Sequence, residues 1–164
     1  MQFNDACDFL ARDHTTFVPG PRPGRKSLKA LQSLNLTHCC TLLSEREDGS
    51  AIQAIAKKIG CRWIWLPIAG GNRDTLAALD IERIVIAFVE QIHADAAPKV
   101  YIHCSAGIHR TGFLTYLLLR LAGHDPLSAR RTLSELRPVT ADQVGSDRLD
   151  LADAMIAALP AGPR

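Results

Sequence analysis

Short apolar runs alternate with stretches of helical period along most of this chain, and that alternation constrains the fold more than any other feature. LTHCCTLL, CRWIWLPI and KVYIHC have strand length, are rich in β-branched, aromatic and small residues, and are bounded by turn residues; the second ends at Pro67. Helical segments lie between and after them. SLKALQSLNL has the leucine spacing of a short helix with Ser27 as N-cap, and AIQAIAKKIG is a second helix that Gly60 ends. Over residues 75–94, Ile81, Ile84, Val85, Phe88 and Ile92 fall on one face of a single long helix. TGFLTYLLLRLAG is a strongly apolar helix, DPLSARRTLSELRP is one that Pro138 stops, and residues 146–159 make the last. VPGPRPGR, residues 18–25, is expected to be an ordered loop. The alternation predicts an α/β fold: a central, mostly parallel sheet flanked by helices and joined by right-handed crossovers. Ligands of such sheets bind beyond the carboxyl ends of the strands.

A length of 164 residues is enough to bury a full core, and with no internal repeat or low-complexity linker a single domain over 1–164 is expected. Hydrophobic residues at 47% and charged ones at 22% argue against long disordered stretches. A net charge of +2 tolerates an anionic substrate but supplies no clustered basic face, so no nucleic-acid partner is expected. The N-terminus carries Asp5 and Asp8 in place of a basic head, and no apolar run is long enough to span a membrane. A cytoplasmic protein with no membrane partner is the expectation, and nothing fixes its oligomeric state. Cys7, Cys39, Cys40, Cys61 and Cys104 form no CxxC and no zinc spacing with histidine. Reduced thiols, with no metal and no cofactor, follow. Cys39 and Cys40 read as buried strand residues in preference to redox partners, and Trp63 and Trp65 as core.

The chemistry concentrates in YIHCSAGIHRTGF, where a strand runs into Cys104 and a small-residue loop leads to a helix beginning near Arg110. A glycine-centred loop of this kind, formed here by Ser105, Ala106, Gly107, Ile108 and His109, turns its backbone N–H groups inward, and the helix adds the positive end of its dipole. That is an anion cradle. The same field lowers the pKa of the Cys104 thiol toward a nucleophilic thiolate. Arg110 can hold two phosphate oxygens with its planar fork. The Thr111 hydroxyl can reach back to the sulfur and stabilise it as a leaving group. His103 fits an orienting hydrogen-bond partner under the loop better than a general base, because the cradle already ionises the thiol.

HCSAGIHRTG resembles the His-Cys-x5-Arg-Ser/Thr signature of the protein tyrosine and dual-specificity phosphatases at His103, Cys104, Gly107, Arg110 and Thr111. The element order is also similar to that of small dual-specificity phosphatases over most of the chain, and VPG and PIAGG resemble the cyclin-dependent-kinase-associated branch. The resemblance implies two-step hydrolysis of a phosphomonoester on a phosphorylated protein. Cys104 attacks phosphorus, the loop amides and Arg110 stabilise the equatorial oxygens, and water cleaves the cysteinyl-phosphate. No metal takes part. Gln143 lies where many relatives carry a glutamine that positions the hydrolytic water; an ordinary residue at a helix start is the other reading.

The pattern departs from the family at the proton donor. Relatives carry an aspartate on a mobile loop a few residues after a proline like Pro67, whereas this chain has Ala69, Gly70, Gly71 and Asn72 there. Asp74 is the nearest substitute; its other reading is the cap of the following helix. Glu47 and Asp48 in SEREDG are second candidates, or simply a solvated acidic turn. His109 either contacts substrate or faces solvent. Ser44 stands where some relatives place a second cysteine that protects the nucleophile. Arg22, Arg25 and Lys26 either flank the pocket or form a solvated loop. Two rivals follow: an RNA 5′-triphosphatase, which shares the cysteine loop and lacks the aspartate, and a phosphate-binding module with negligible turnover. A phosphoinositide phosphatase would carry lysines in the loop, and this loop has none.

Overall fold

Four parallel strands carry the structure, in the order β1-β4-β2-β3, with β1 spanning Thr16–Gly20, β2 His38–Thr41, β3 Arg62–Trp65 and β4 Lys99–His103. The computed structural model describes residues 1–160, so the last four positions of the expected 1–164 domain lie outside it. The helices are α1 (Phe3–Ala11), α2 (Leu28–Gln32), α3 (Ile52–Ile59), α4 (Arg73–Ala77), α5 (Ile81–Ile92), α6 (His109–Leu121), α7 (Pro126–Leu136), α8 (Pro138–Gln143) and α9 (Ser146–Ala157). Every residue of β2 is buried, and so is every residue of β4 after Lys99. Strands covered on both faces in this way lose the polar alternation of a half-solvated sheet, which is why HCCT and KVYIH read as continuous runs. The α/β expectation therefore holds, with all four strands parallel.

The register does the positioning. His103 pairs with Gly20 on one side and with Thr41 on the other, and Thr41 pairs with Trp65. All four strands thus end level, on the edge where the chain leaves β4 for α6. That helix is buried from Arg110 to Leu119, as an apolar sequence without a polar stripe requires. Its Gly112 lies against α8 and the Val144 that caps it: a Cβ there would stand 2.7 Å from Val144 Cγ2, so only glycine lets the helices approach. No helix among the described residues is long and apolar enough to cross a membrane.

Three local expectations change. Residues 18–20 belong to β1 and not to a loop: Phe17, Pro19 and Gly20 are buried, and a proline is tolerated because β1 is an edge strand paired only with β4. The single helix expected over 75–94 is two, α4 and α5. Asp80 breaks it by leaving helical geometry and accepting the Arg83 N–H on its Oδ1 at 3.1 Å, an N-cap that outweighs the continuous period. The apolar face itself is retained, with Ile81, Val85, Phe88 and Ile92 buried. The third change is α8, a short helix with Pro138 in its first turn, between the two expected at the C-terminus. Replacing the cap, Asp80→Ala, is expected to cost about 1 kcal/mol of stability, read as a lower urea midpoint at unchanged slope.

Candidate active site

The loop from Cys104 to Ile108 joins β4 to α6, and every one of its carbonyls is held from outside. Cys104 O accepts from His103 Nδ1 at 2.9 Å and Ser105 O from the Arg22 N–H at 2.8 Å. Arg137 Nη1 donates to Ala106 O at 3.1 Å and to Gly107 O at 2.7 Å, and Thr140 Oγ1 also donates to Gly107 O, at 2.6 Å. Ile108 O takes the Gly112 N–H at 2.8 Å. In a planar trans peptide the N–H of the next residue points opposite to the carbonyl, so the N–H groups of residues 105–109 are turned inward. Gly107 is essential to the turn: its φ is +70°, and a Cβ there would run into the Gly20 carbonyl.

Cys104 lies at the bottom, 4% exposed. Burial pushes its thiol up, but the Thr111 hydroxyl, 3.1 Å from Sγ, and the backbone N–H groups of Thr111, Ile108 and Gly107 outweigh that, so its pKa falls below 9.0. The other cysteines move the opposite way, with burial the largest cause. Cys7 and Cys61 rise to about 11 and Cys39 to about 12. The reading of Cys39 and Cys40 as strand core agrees with their burial in β2.

His103 sits under the loop in a directional chain. Trp63 Nε1 donates to Thr41 Oγ1 at 2.9 Å, Thr41 Oγ1 lies 2.7 Å from His103 Nε2, and His103 Nδ1 meets the Cys104 carbonyl. The carbonyl can only accept and the indole can only donate, so Nδ1 carries the proton and Nε2 takes the Thr41 hydroxyl hydrogen. Burial lowers the His103 pKa to about 4 and keeps the ring neutral, as this chain requires. Trp63 and Trp65 stack at 5.5 Å, but each also spends its indole N–H, Trp65 on the Leu43 carbonyl at 2.8 Å.

Arg110 divides its five donors. Nη1 and Nη2 grip the two oxygens of Glu47, each at 2.7 Å, and Nη1 also donates to Ile68 O at 2.9 Å. The edge formed by Nε and the second Nη2 hydrogen remains for an anion. Glu47 further accepts from the Ser44 N–H and the Ser44 hydroxyl, each at 2.9 Å. The Arg110 bond foremost, with the Ser44 bonds, holds its pKa down at about 2. An ionised carboxylate has no proton to deliver, so Glu47, weighed as a donor, is instead the anchor of Arg110. Asp48 is exposed, and its carbonyl accepts from Arg22 Nη2 at 3.3 Å. Arg22 also donates to Glu47 O at 2.6 Å, so it is a structural tie between the 105 and 47 segments and not a solvated loop residue.

The segment after Pro67 docks on this assembly through Ile68 O and through Gly71 O, which accepts from Arg148 Nε at 2.7 Å. Its cap is Asn72, whose Oδ1 accepts the Thr75 N–H at 2.8 Å, and not Asp74. Asp74 follows in the first turn of α4, exposed. Gln143 is the last residue of α8 and not a helix start, exposed, one turn beyond Thr140. His109, Ser105 and Ala106 are exposed at the rim and Ile108 is half-buried. Thr41, Trp63, Arg137 and Thr140 all serve the site, although the sequence marks none of them as functional, and Glu47 serves it in another role than the proton donor it was weighed for. Their signal is positional only: a Thr at the end of β2, a Trp inside β3 and an Arg-Pro after α7.

The sequence profile described as the tyrosine phosphatase family matches residues 22–129. No curated protein matches the chain. Solved structures share its fold. Tk-PTP in its active form superposes with a TM-score of 0.61 at 17% identity, covering 88% of this chain and 92% of that one. TpbA of P. aeruginosa gives 0.58 at 20% identity, covering 88% and 81%. Kinase associated phosphatase, with its catalytic-site cysteine substituted by serine, gives 0.56 at 17% identity, covering 89% and 88%.

The contrast among the thiols has a direct readout. At pH 7 iodoacetamide is expected to label Cys104 ahead of Cys7 and Cys61, as followed by peptide mass spectrometry, with a rate that rises with pH through a pKa below 9.0. Thr111→Val removes the hydroxyl bond and moves that profile up toward an ordinary cysteine. Equal labelling of the three cysteines contradicts the assignment.

Proposed function

This chain belongs to the tyrosine phosphatase family, and we propose that it hydrolyses phosphomonoesters on proteins, phosphotyrosine first and phosphoserine or phosphothreonine second, through a cysteinyl-phosphate. One observation carries the reading: a thiol whose pKa is drawn down at the bottom of a cradle of inward N–H groups, beside an arginine edge left open for two oxygens. Cys104 Sγ attacks phosphorus while the loop amides and Arg110 take the equatorial oxygens. These donors are already oriented before substrate arrives, which is what makes such stabilisation effective in the transition state. Water then attacks phosphorus and sulfur departs with its electron pair, a step that the Thr111 hydroxyl favours. Gln143, one turn past the Thr140 that bonds Gly107 O, is assigned to orient that water. His103 orients the loop through its bond to Cys104 O and transfers no proton. No cofactor enters this scheme. A cytoplasmic setting suits both phosphorylated proteins and free thiols.

Phosphate release from an aryl phosphate with an acidic phenol tests the reading. Activity is expected to persist in chelator and to vanish in Cys104→Ser; wild-type activity in that variant overturns it. Arg110→Lys keeps the charge but loses the two-oxygen edge, and kcat/KM is expected to fall by about 10²–10³, the usual effect of one transition-state donor. Across a panel of phosphotyrosine and phosphoserine peptides, triphosphorylated RNA and inositol phosphates, the highest kcat/KM is expected on phosphotyrosine. Preference for RNA or inositol phosphates reassigns the substrate, and phosphopeptide binding without any turnover makes the chain a binding module.

A further inference from the structure

A phosphate ester gives up its leaving oxygen readily only when that oxygen receives a proton, and the segment docked beside Arg110, from Ile68 to Asn72, contains no acid. What stands against it is the start of α6, at His109. A Cβ at Gly71 would lie 2.7 Å from His109 Cβ, so only glycine at 71 lets this segment come so close to the first residue of α6. Arg148 fixes this contact from the other side through Gly71 O. His109 therefore occupies the junction of the phosphate cradle and the docked segment, one residue before Arg110, with its side chain exposed at the rim. Three charged groups face it: Arg148 and Asp147 from α9 and Arg110 from its own helix.

We propose that His109 is the proton donor to the leaving group, in place of a loop carboxylate; this rests on the phosphatase reading above. As Cys104 Sγ forms its bond to phosphorus, the P–O bond to the leaving group breaks, the electron pair goes to that oxygen, and the oxygen takes the imidazolium proton. His109 is then neutral. Water attacks the phosphorus, its proton passes to the imidazole, and the S–P bond breaks with its pair returning to sulfur, which releases phosphate and restores the imidazolium. Partial burial and Arg148 lower the pKa of the free ring, Asp147 opposes them and Arg110 adds to them. A bound dianion acts in the opposite direction and favours the charged ring. The limb on the alkaline side of kcat/KM, which reports free enzyme, accordingly lies below pH 6.5, and that of kcat lies higher.

The test is a leaving-group series in wild type, His109→Ala, His109→Gln and Asp74→Asn, with folding checked by thermal midpoint. Both His109 variants are expected to lose about 10²–10⁴-fold in kcat/KM on phenyl phosphate, much less on an ester of a strongly acidic phenol, and to lose the alkaline limb. Asp74→Asn is expected to follow wild type on both esters. Equal losses on the two esters, an alkaline limb that survives in both His109 variants, or a leaving-group-dependent loss confined to Asp74→Asn each overturn the proposal. Wild type that hydrolyses neither ester overturns the phosphatase reading itself, and the proposal with it.

Discussion

The outward pull on five consecutive carbonyls, from Cys104 to Ile108, is the constraint on which the site depends. A loop of this length left to itself would turn some carbonyls toward the cavity, and a single one would repel both a thiolate and a phosphate. Here the partners come from separate elements: Arg22 after β1, His103 on β4, Arg137 and Thr140 at the α7–α8 junction, and Gly112 in α6. Peptide planarity converts those bonds into inward amides. The loop's electrostatics are therefore a property of the whole sheet edge, and the level strand ends bring the partners within reach.

Charge is distributed with the same economy. Buried arginine needs its donors satisfied, and Glu47 and the Ile68 carbonyl take three of the five while leaving the edge beside the thiol open. The Glu47 carboxylate in turn is saturated by Ser44 and Arg110, which keeps it ionised and fixed. The neutral His103 extends this order downward, since the one-way chain from Trp63 through Thr41 leaves its Nδ1 proton a single acceptor, the Cys104 carbonyl. Attraction for an anion is thus concentrated above the sulfur.

Much of the fold was legible because β2, β4 and α6 are buried on all sides and so appear as unbroken apolar runs. β1 was not, because Pro19 and Gly20 suit a turn unless an edge strand is available to hold them. The α4–α5 break was hidden by an apolar period that continues in phase across Asp80, where a side-chain cap decides the boundary. In the site, Cys104, Arg110 and Thr111 are contiguous and their roles follow from spacing. Glu47 looked like a solvated acid, and only its distance to Arg110 distinguishes an anchor from a proton donor.

The sequence by itself determined the strand-loop-helix around Cys104, since a strand, a glycine that must take positive φ and a helix start within a dozen residues leave the backbone little choice. It also determined that no carboxylic acid would lie between Ile68 and Asn72. The tertiary structure alone decided what surrounds that loop: which carbonyls are held, which arginine edge is free, and that Gly71 meets His109. Those outcomes depend on the register of four parallel strands and on helix packing, which couple residues far apart in the chain and leave no local pattern from which to read them.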